Sequence, residues 1–225
     1  MNREALENLI LESTGRSDKL TLIRSAINIA LEEVSGAALW NDLRTEDTVT
    51  AVGGEPYVDL AEDAVRVAEV RRIEGLLSRP LLIRPKTWLV TRYPSVESMS
   101  NQRPVYGYIT GQRLYFVPIP DVSYDITYTY FPLHPELTNA TDEVLIRAAS
   151  TAVIAFATFW VFQSIEMSED AKRWFDIYQD RLKRAIKIDG ADSAVKYEAE
   201  KRSNPGTYIP PNAAYWLDPF VRRTP

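Results

Sequence analysis

Residues 148–165, AASTAVIAFATFWVFQSI, contain no charged side chain. A helix of that composition has no face that water solvates well, so it is a core element, a subunit contact or a membrane span. A span fits poorly. Ser150, Thr151, Thr158 and Gln163 interrupt the stretch, Asp142, Glu143 and Arg147 crowd one end, and Glu166, Glu169 and Asp170 crowd the other. The chain holds no second candidate. Ahead of the stretch, Asn139 and Thr141 with Asp142-Glu143 read as an N-cap and an acidic first turn. The expectation is a helix entered at Thr141 and covered on every side.

A second helix is expected after Met167, with Ser168 as N-cap and Glu169-Asp170 in its first turn. Ala171, Trp174, Phe175, Tyr178, Leu182, Ala185 and Ile186 fall on one helical face, and Lys172, Arg173, Asp176, Asp180, Arg181, Lys183, Arg184 and Lys187 on the other. The cations gather where the C-terminal dipole favours them, and Gly190 reads as a stop. The basic end, Arg181 to Lys187, reads as a solvated face, with a partner-facing patch as the alternative. The two segments make a helical hairpin, its first member sandwiched and its second half solvated.

Helices recur at the amino end. Asn2 caps a short one that ends at Gly15, and Ser17 or Asp18 caps a longer one with Leu20, Ile23, Ile27, Ala30, Leu31, Val34 and Ala38 in a stripe. Trp40 is placed to close that helix against the core. From Thr45 the period becomes alternating. Residues 48–52 and 55–60 flank Gly53-Gly54, which reads as a hairpin turn, with Pro56 putting the second strand at an edge. Strands follow at 65–73 and 80–83 around a Glu74-Gly75 turn, then a short helix led by Pro85. Residues 95–103 read as an exposed loop. Three more strands, around Val105–Ile109, Leu114–Val117 and Tyr124–Tyr130, carry the clearest alternation: Tyr124, Ile126, Tyr128 and Tyr130 share one face.

The expected fold class is α+β, a helical bundle made from N- and C-terminal helices with an inserted antiparallel β domain and an extended C-terminal tail. Its parts are residues 1–44, 45–137, 138–190 and 191–225. The helices can share a bundle only if the insertion begins and ends at neighbouring points.

Proline makes the tail extended, yet Tyr208, Ile209, Pro210, Pro211, Tyr215, Trp216, Leu217 and Phe220 are poor residues to display to water. Each aromatic would remove on the order of 150–250 Å² from solvent if docked. These eight residues are the expected partner-docking segment.

With 225 residues, 45% hydrophobic, the chain can bury a substantial core. A net charge of -5 argues against a dedicated nucleic-acid binder, and the absence of cysteine removes disulfides, thiol nucleophiles and thiolate metal sites. MNREALENLI does not read as a secretion signal, so Asn139-Ala140-Thr141 is better taken as a cap than a glycosylation site. The one histidine, His134, sits between Leu133 and Pro135 and reads as a loop residue. No phosphate-loop, dinucleotide, serine-hydrolase or zinc-protease spacing occurs. Asp59, Glu62 and Asp63 could hold a hard cation, though carboxylates near a turn are more often hydrated. No enzyme activity and no cofactor are expected. The tyrosine-rich strands invite a stacking platform for sugar or single-stranded nucleic acid, but Arg103 and Arg113 beside Asp121 and Asp125 make a thin basic groove.

The N-terminal helical hairpin precedes a β insertion ending in a run with Tyr108, Gly111, Leu114, Tyr115, Phe116, Pro118, Pro120 and Asp121. A Tyr-rich strand follows, then Leu137, Thr138, Thr141, Asp142, Glu143 and a long helix. In this order of elements, over roughly residues 5–190, the chain resembles the head-to-tail adaptor proteins of tailed bacteriophages and the related upper tail-tube proteins of short-tailed phages. The resemblance implies a virion protein assembled in the host cytoplasm. It implies a homo-oligomeric ring, usually of twelve copies, docked on the portal protein and joined below to a tail or further connector protein. DNA would pass through the channel without specific binding, and no membrane is involved. An acidic balance suits such a conduit, which should repel phosphate. The alternative reading is a carbohydrate- or nucleic-acid-binding module using the tyrosine-rich sheet, and a third is a hydrolase with a carboxylate pair.

Overall fold

A computed structural model describes residues 1–93 and 101–203, with only the backbone described for 191–203. Met1–Asp189 forms one compact unit, and a second unit begins at Gly190.

In the first unit the bundle is built where sequence periodicity demands it. Helix α1, Arg3–Thr14, starts with the Asn2 side chain accepting the Ala5 N–H at 3.0 Å and ends at Gly15, whose φ of 64° lets its N–H reach the Leu11 carbonyl. Helix α2, Leu20–Ala37, buries Ile23, Ala26, Ile27, Ala30, Leu31 and Val34 on one stripe. The uncharged stretch forms α4, Ser150–Ser164. Ala152, Ala155 and Ala157 let neighbouring backbones approach it, and Val153 and Val161 fill the remaining space. Helix α5, Ser168–Ser203, adds Tyr178, Leu182 and Ala185 to the same core. Trp40 closes the end of α2 as expected: it is fully buried, and its indole N–H donates to the Val34 carbonyl at 2.8 Å.

Two helix boundaries differ from expectation. Residues 138–146 are not the first turns of the long helix. The Asp142 carboxylate accepts the N–H groups of Thr138 and Asn139 at 2.8 and 2.7 Å, folding a loop that Asn2 joins through a bridge to Glu143. Short polar side chains can satisfy backbone locally instead of capping a helix, and here they do. Helix entry comes later, through a 3-10 turn at Arg147–Ala149, where Asp42 accepts the Arg147 N–H at 3.0 Å from another part of the chain. At the other end Gly190 does not stop α5, which runs through to Ser203. A glycine ends a helix when it takes positive φ, and Gly190 has none.

The expected 48–60 hairpin does not form. Strand β1, Thr45–Ala51, pairs with β8, Tyr124–Phe131, whereas β2, Tyr57–Asp59, pairs with β7, Arg113–Val117. Gly53-Gly54 is instead a crossing between sheets. Gly54 has φ of 87° and donates to the Pro120 carbonyl at 2.8 Å, and a Cβ on Gly53 would lie 2.9 Å from the Val122 Cα. Gly53 is required by a close approach and Gly54 by its positive φ, and neither by a hairpin.

One antiparallel sheet is ordered β1-β8-β3-β4, where β3 is Arg66–Glu74 and β4 is Leu77–Pro80, joined at Gly75 with φ of 58°. The other is ordered β2-β7-β6-β5, where β6 is Tyr106–Thr110 and β5 is Leu82–Ile83; its β5–β6 pair is parallel. As Pro56 predicts, β2 is an edge. Ala51, Val70, Ile126, Tyr128 and Tyr130 from the first sheet share a core with Leu114 and Phe116 from the second. Helix α3, Lys86–Arg92, starts after Pro85 as expected and sets Leu89 on Tyr106 and Val117, on the far side of the second sheet. The class is α+β, and the bundle and the insertion are both present.

Several polar groups buried in the sandwich find partners. The Tyr128 hydroxyl accepts the Ala61 N–H and donates to Asp47, each at 2.9 Å. Burial next to Asp63 pushes the Tyr130 phenol up to about 12, so it stays a donor to that carboxylate. Arg72, with its side chain almost fully buried, meets Glu74 at 2.7 Å, donates to the Pro104 carbonyl, and shares Glu74 with Arg103 at 3.0 Å. Glu74→Ala would leave that buried guanidinium unneutralised, and we expect a loss of about 3 kcal/mol in urea unfolding.

His134 is a structural staple. It is buried, its Nδ1 lies 2.6 Å from the Pro135 carbonyl, and Nε2 accepts the Leu145 N–H at 2.8 Å. Those partners require the neutral ring with its proton on Nδ1. Burial lowers its pKa from the ordinary 6.5. The unfolded chain therefore takes up the proton first, so this contribution is complete above pH 6.5 and declines as the pH falls below it. His134→Ala should cost about 1–2 kcal/mol at pH 8 and reduce the loss of stability between pH 7 and 5, as read by urea unfolding at each pH.

Candidate assembly surfaces

The expected docking residues Tyr208, Ile209, Pro210, Pro211, Tyr215, Trp216, Leu217 and Phe220 lie outside the described residues, as does most of the expected 95–103 loop. Three surfaces stand out among the described ones.

The first is an aromatic face on the α4–α5 hairpin. Phe156 meets Tyr178 edge-on at 4.9 Å and stacks on Trp160 at 6.5 Å, and Phe159 lies 5.2 Å from Phe175. The ladder runs from core to surface. Phe156 and Tyr178 are buried, while Trp160 and Phe175 are 36% and 38% exposed. The expectation that α4 is covered on every side is thus corrected: α1, α2 and α5 cover most of it, and Thr151, Trp160 and Gln163 face out. Three neighbours cannot enclose a helix whose apolar residues go all the way round. Of the basic end of α5, Lys183, Arg184 and Lys187 are exposed, and Arg184 pairs with Asp180 at 2.8 Å.

The second surface is the outer face of the second sheet. Cross-strand register sets Tyr115 directly opposite Tyr57 on one side and Tyr108 on the other. Tyr108 and Tyr115 stack at 4.8 Å and 3°, and Tyr57 follows at 5.4 Å. Lys86 lies 5.7 Å over Tyr108, Arg113 lies 4.6 Å over Tyr57, and Arg84 lies 5.4 Å over the exposed Trp88. Alternating tyrosines in sequence hint at this row, but the contribution of Tyr57 and Lys86 depends on strand pairing. Tyr128 and Tyr130, on the other sheet, are core residues with bonded hydroxyls. A base or sugar stacks on a ring face, and here neighbouring rings and cations lie against the faces.

The third is an open groove of about 470 Å³ lined by Ile29, Glu32, Glu33, Gly36, Ala37 and Leu133. Arg66, at the start of β3, donates to the Gly36 carbonyl at its border.

Of the suspected carboxylates, Asp59 pairs with Arg113 at 2.9 Å and Asp63 accepts from Tyr130 at 3.1 Å. Among the described residues no group of three His, Asp or Glu is placed to hold a metal, and no helix is long and apolar enough to cross a membrane.

Broad apolar and aromatic surfaces over a well-packed interior are what a protein that holds other proteins presents. The class is that of a phage structural protein, a head-to-tail adaptor. Over residues 2–205 the chain matches the family model of the SU10 adaptor protein, and it belongs to that family. A search among curated proteins finds no match to the chain. Membership makes it a virion component that contacts other head and tail proteins.

Trp160→Ser should cost about 1–3 kcal/mol in urea unfolding, because the ring is 36% exposed and the rest of it packs on the bundle. Val161→Ser, one residue on and fully buried, should cost at least as much in the same urea titration although its side chain is far smaller.

Proposed function

We propose that the protein is a non-enzymatic ring-forming adaptor, of twelve copies on the family pattern, that docks on the portal and continues the DNA channel toward the tail. The aromatic face of the α4–α5 hairpin carries this reading. Trp160 and Phe175 continue the bundle's buried ring ladder into solvent, and a neighbouring copy would complete their burial. The net charge of -5 supports a conduit through which DNA slides without being held. The C-terminal residues Tyr208, Ile209, Pro210, Pro211, Tyr215, Trp216, Leu217 and Phe220 are proposed to dock on the portal or an adjacent copy. Assembly would take place in the host cytoplasm, with a tail or further connector protein bound below.

Native mass of the full chain, alone and mixed with the portal of the same virus, tests the reading. A ring is expected in the mixture, even where the free protein is a monomer, because a symmetric template can order subunits. A chain ending at Ser203 should fold with an unchanged urea midpoint and fail to bind the portal. Unchanged portal affinity would remove the docking role from the last 22 residues.

A further inference from the structure

We propose that the tyrosine ridge of one copy seats in the acidic groove of the next, so that the ring is joined head to tail through the second sheet and α2. The inference rests on the ring reading above and names two surfaces that would join neighbouring copies in addition to the hairpin face.

The ridge is cationic and aromatic: Lys86 and Arg113 flank Tyr108, Tyr115 and Tyr57, and Asp59 is the anion beside Arg113. The groove is its complement. Ile29, Ala37 and Leu133 supply apolar lining, and Glu32 and Glu33 supply two exposed carboxylates with no ion-pair partner among the described residues. Arg113 keeps donors to spare after pairing with Asp59, since a guanidinium carries five. A row of half-buried tyrosine rings set between cations suits a groove of mixed apolar and acidic lining.

The two surfaces cannot meet within one copy. Leu114 and Phe116 point from the second sheet toward the first, so Tyr115 and Arg113, which alternate with them, point away from it. The groove is bordered by α2 and by the first sheet, through Arg66 and by Leu133 just beyond β8. Two different, mutually complementary patches that face different ways on one chain make a heterologous contact, which gives a ring where the rotation from copy to copy closes.

The test is sedimentation velocity of the full chain, alone and with the portal of the same virus. Two variants are used, Glu32→Lys/Glu33→Lys in the groove and Lys86→Glu/Arg113→Glu on the ridge. Each places like charges across the contact and should weaken ring formation about tenfold or more. Mixed in equal amounts they should recover it. Alternate contacts are then wild type on both sides or reversed on both sides, and any ring with an even number of copies can close. Circular dichroism confirms folding. Lys86→Ala and Glu32→Gln/Glu33→Gln give milder versions in which a smaller loss is expected. Folded variants that assemble like wild type, or that fail to recover on mixing, overturn the ridge-in-groove contact and leave the ring standing. Wild-type protein that forms no higher species alone or on the portal overturns the ring itself.

Discussion

The packing of α4 against α2 is the contact on which the rest depends. α4 offers alanines and valines where α2 offers Ile23, Ala26, Ile27 and Ala30, so the helices approach closely and exclude water. Those helices lie more than a hundred residues apart in the chain, with both sheets between them. Their contact therefore brings the two ends of the β insertion together. Trp40 and Leu43 at its entrance and Leu137 at its exit are buried in the same core as the helices. The bundle acts as the clasp of the fold.

Polar groups make the clasp specific. The segment from His134 to Arg147 has little regular structure, yet it is held at nearly every step: by His134 to Leu145, by Asp142 to its own loop, and by Asp42 to the entry of α4. Arg3 donates to the carbonyls of Leu137 and Thr138 and pairs with Glu7 at 2.9 Å, which also binds Arg24 at 3.0 Å. Each is modest in water, but Glu7 is buried, and an unpaired charge there would be costly. These bonds position the loop more than they hold the molecule together.

An adaptor must be stable by itself and still offer area to neighbours. Here the two demands are divided between elements. Core residues of the bundle and the sandwich are closed, while the ring ladder of the hairpin, the tyrosine row and the α2 groove lie at the surface. None of the three needs a charged group left unpaired in the interior.

Much of this architecture is legible in the order of residues alone. Helical stripes on α1, α2 and α5, alternation in β6 to β8, Pro56 at an edge and Trp40 as a lid all follow from local rules, because each depends on residues within a turn or two. The class of protein is legible too, as an order of elements. What only the tertiary structure decided was pairing. Gly53-Gly54 needs unusual backbone in either case, but whether β2 folds back on β1 or crosses to β7 depends on a strand more than fifty residues away. Residues 138–146 carry good capping side chains, yet α1 and its Asn2 cap compete for the same backbone and hold it as a loop. An uncharged helix announces that it must be covered, but not by how many neighbours, so the side of α4 left open at Trp160 was set by the bundle's geometry. Local pattern determines what each segment can be, and the meeting of distant segments determines which surface remains for a partner.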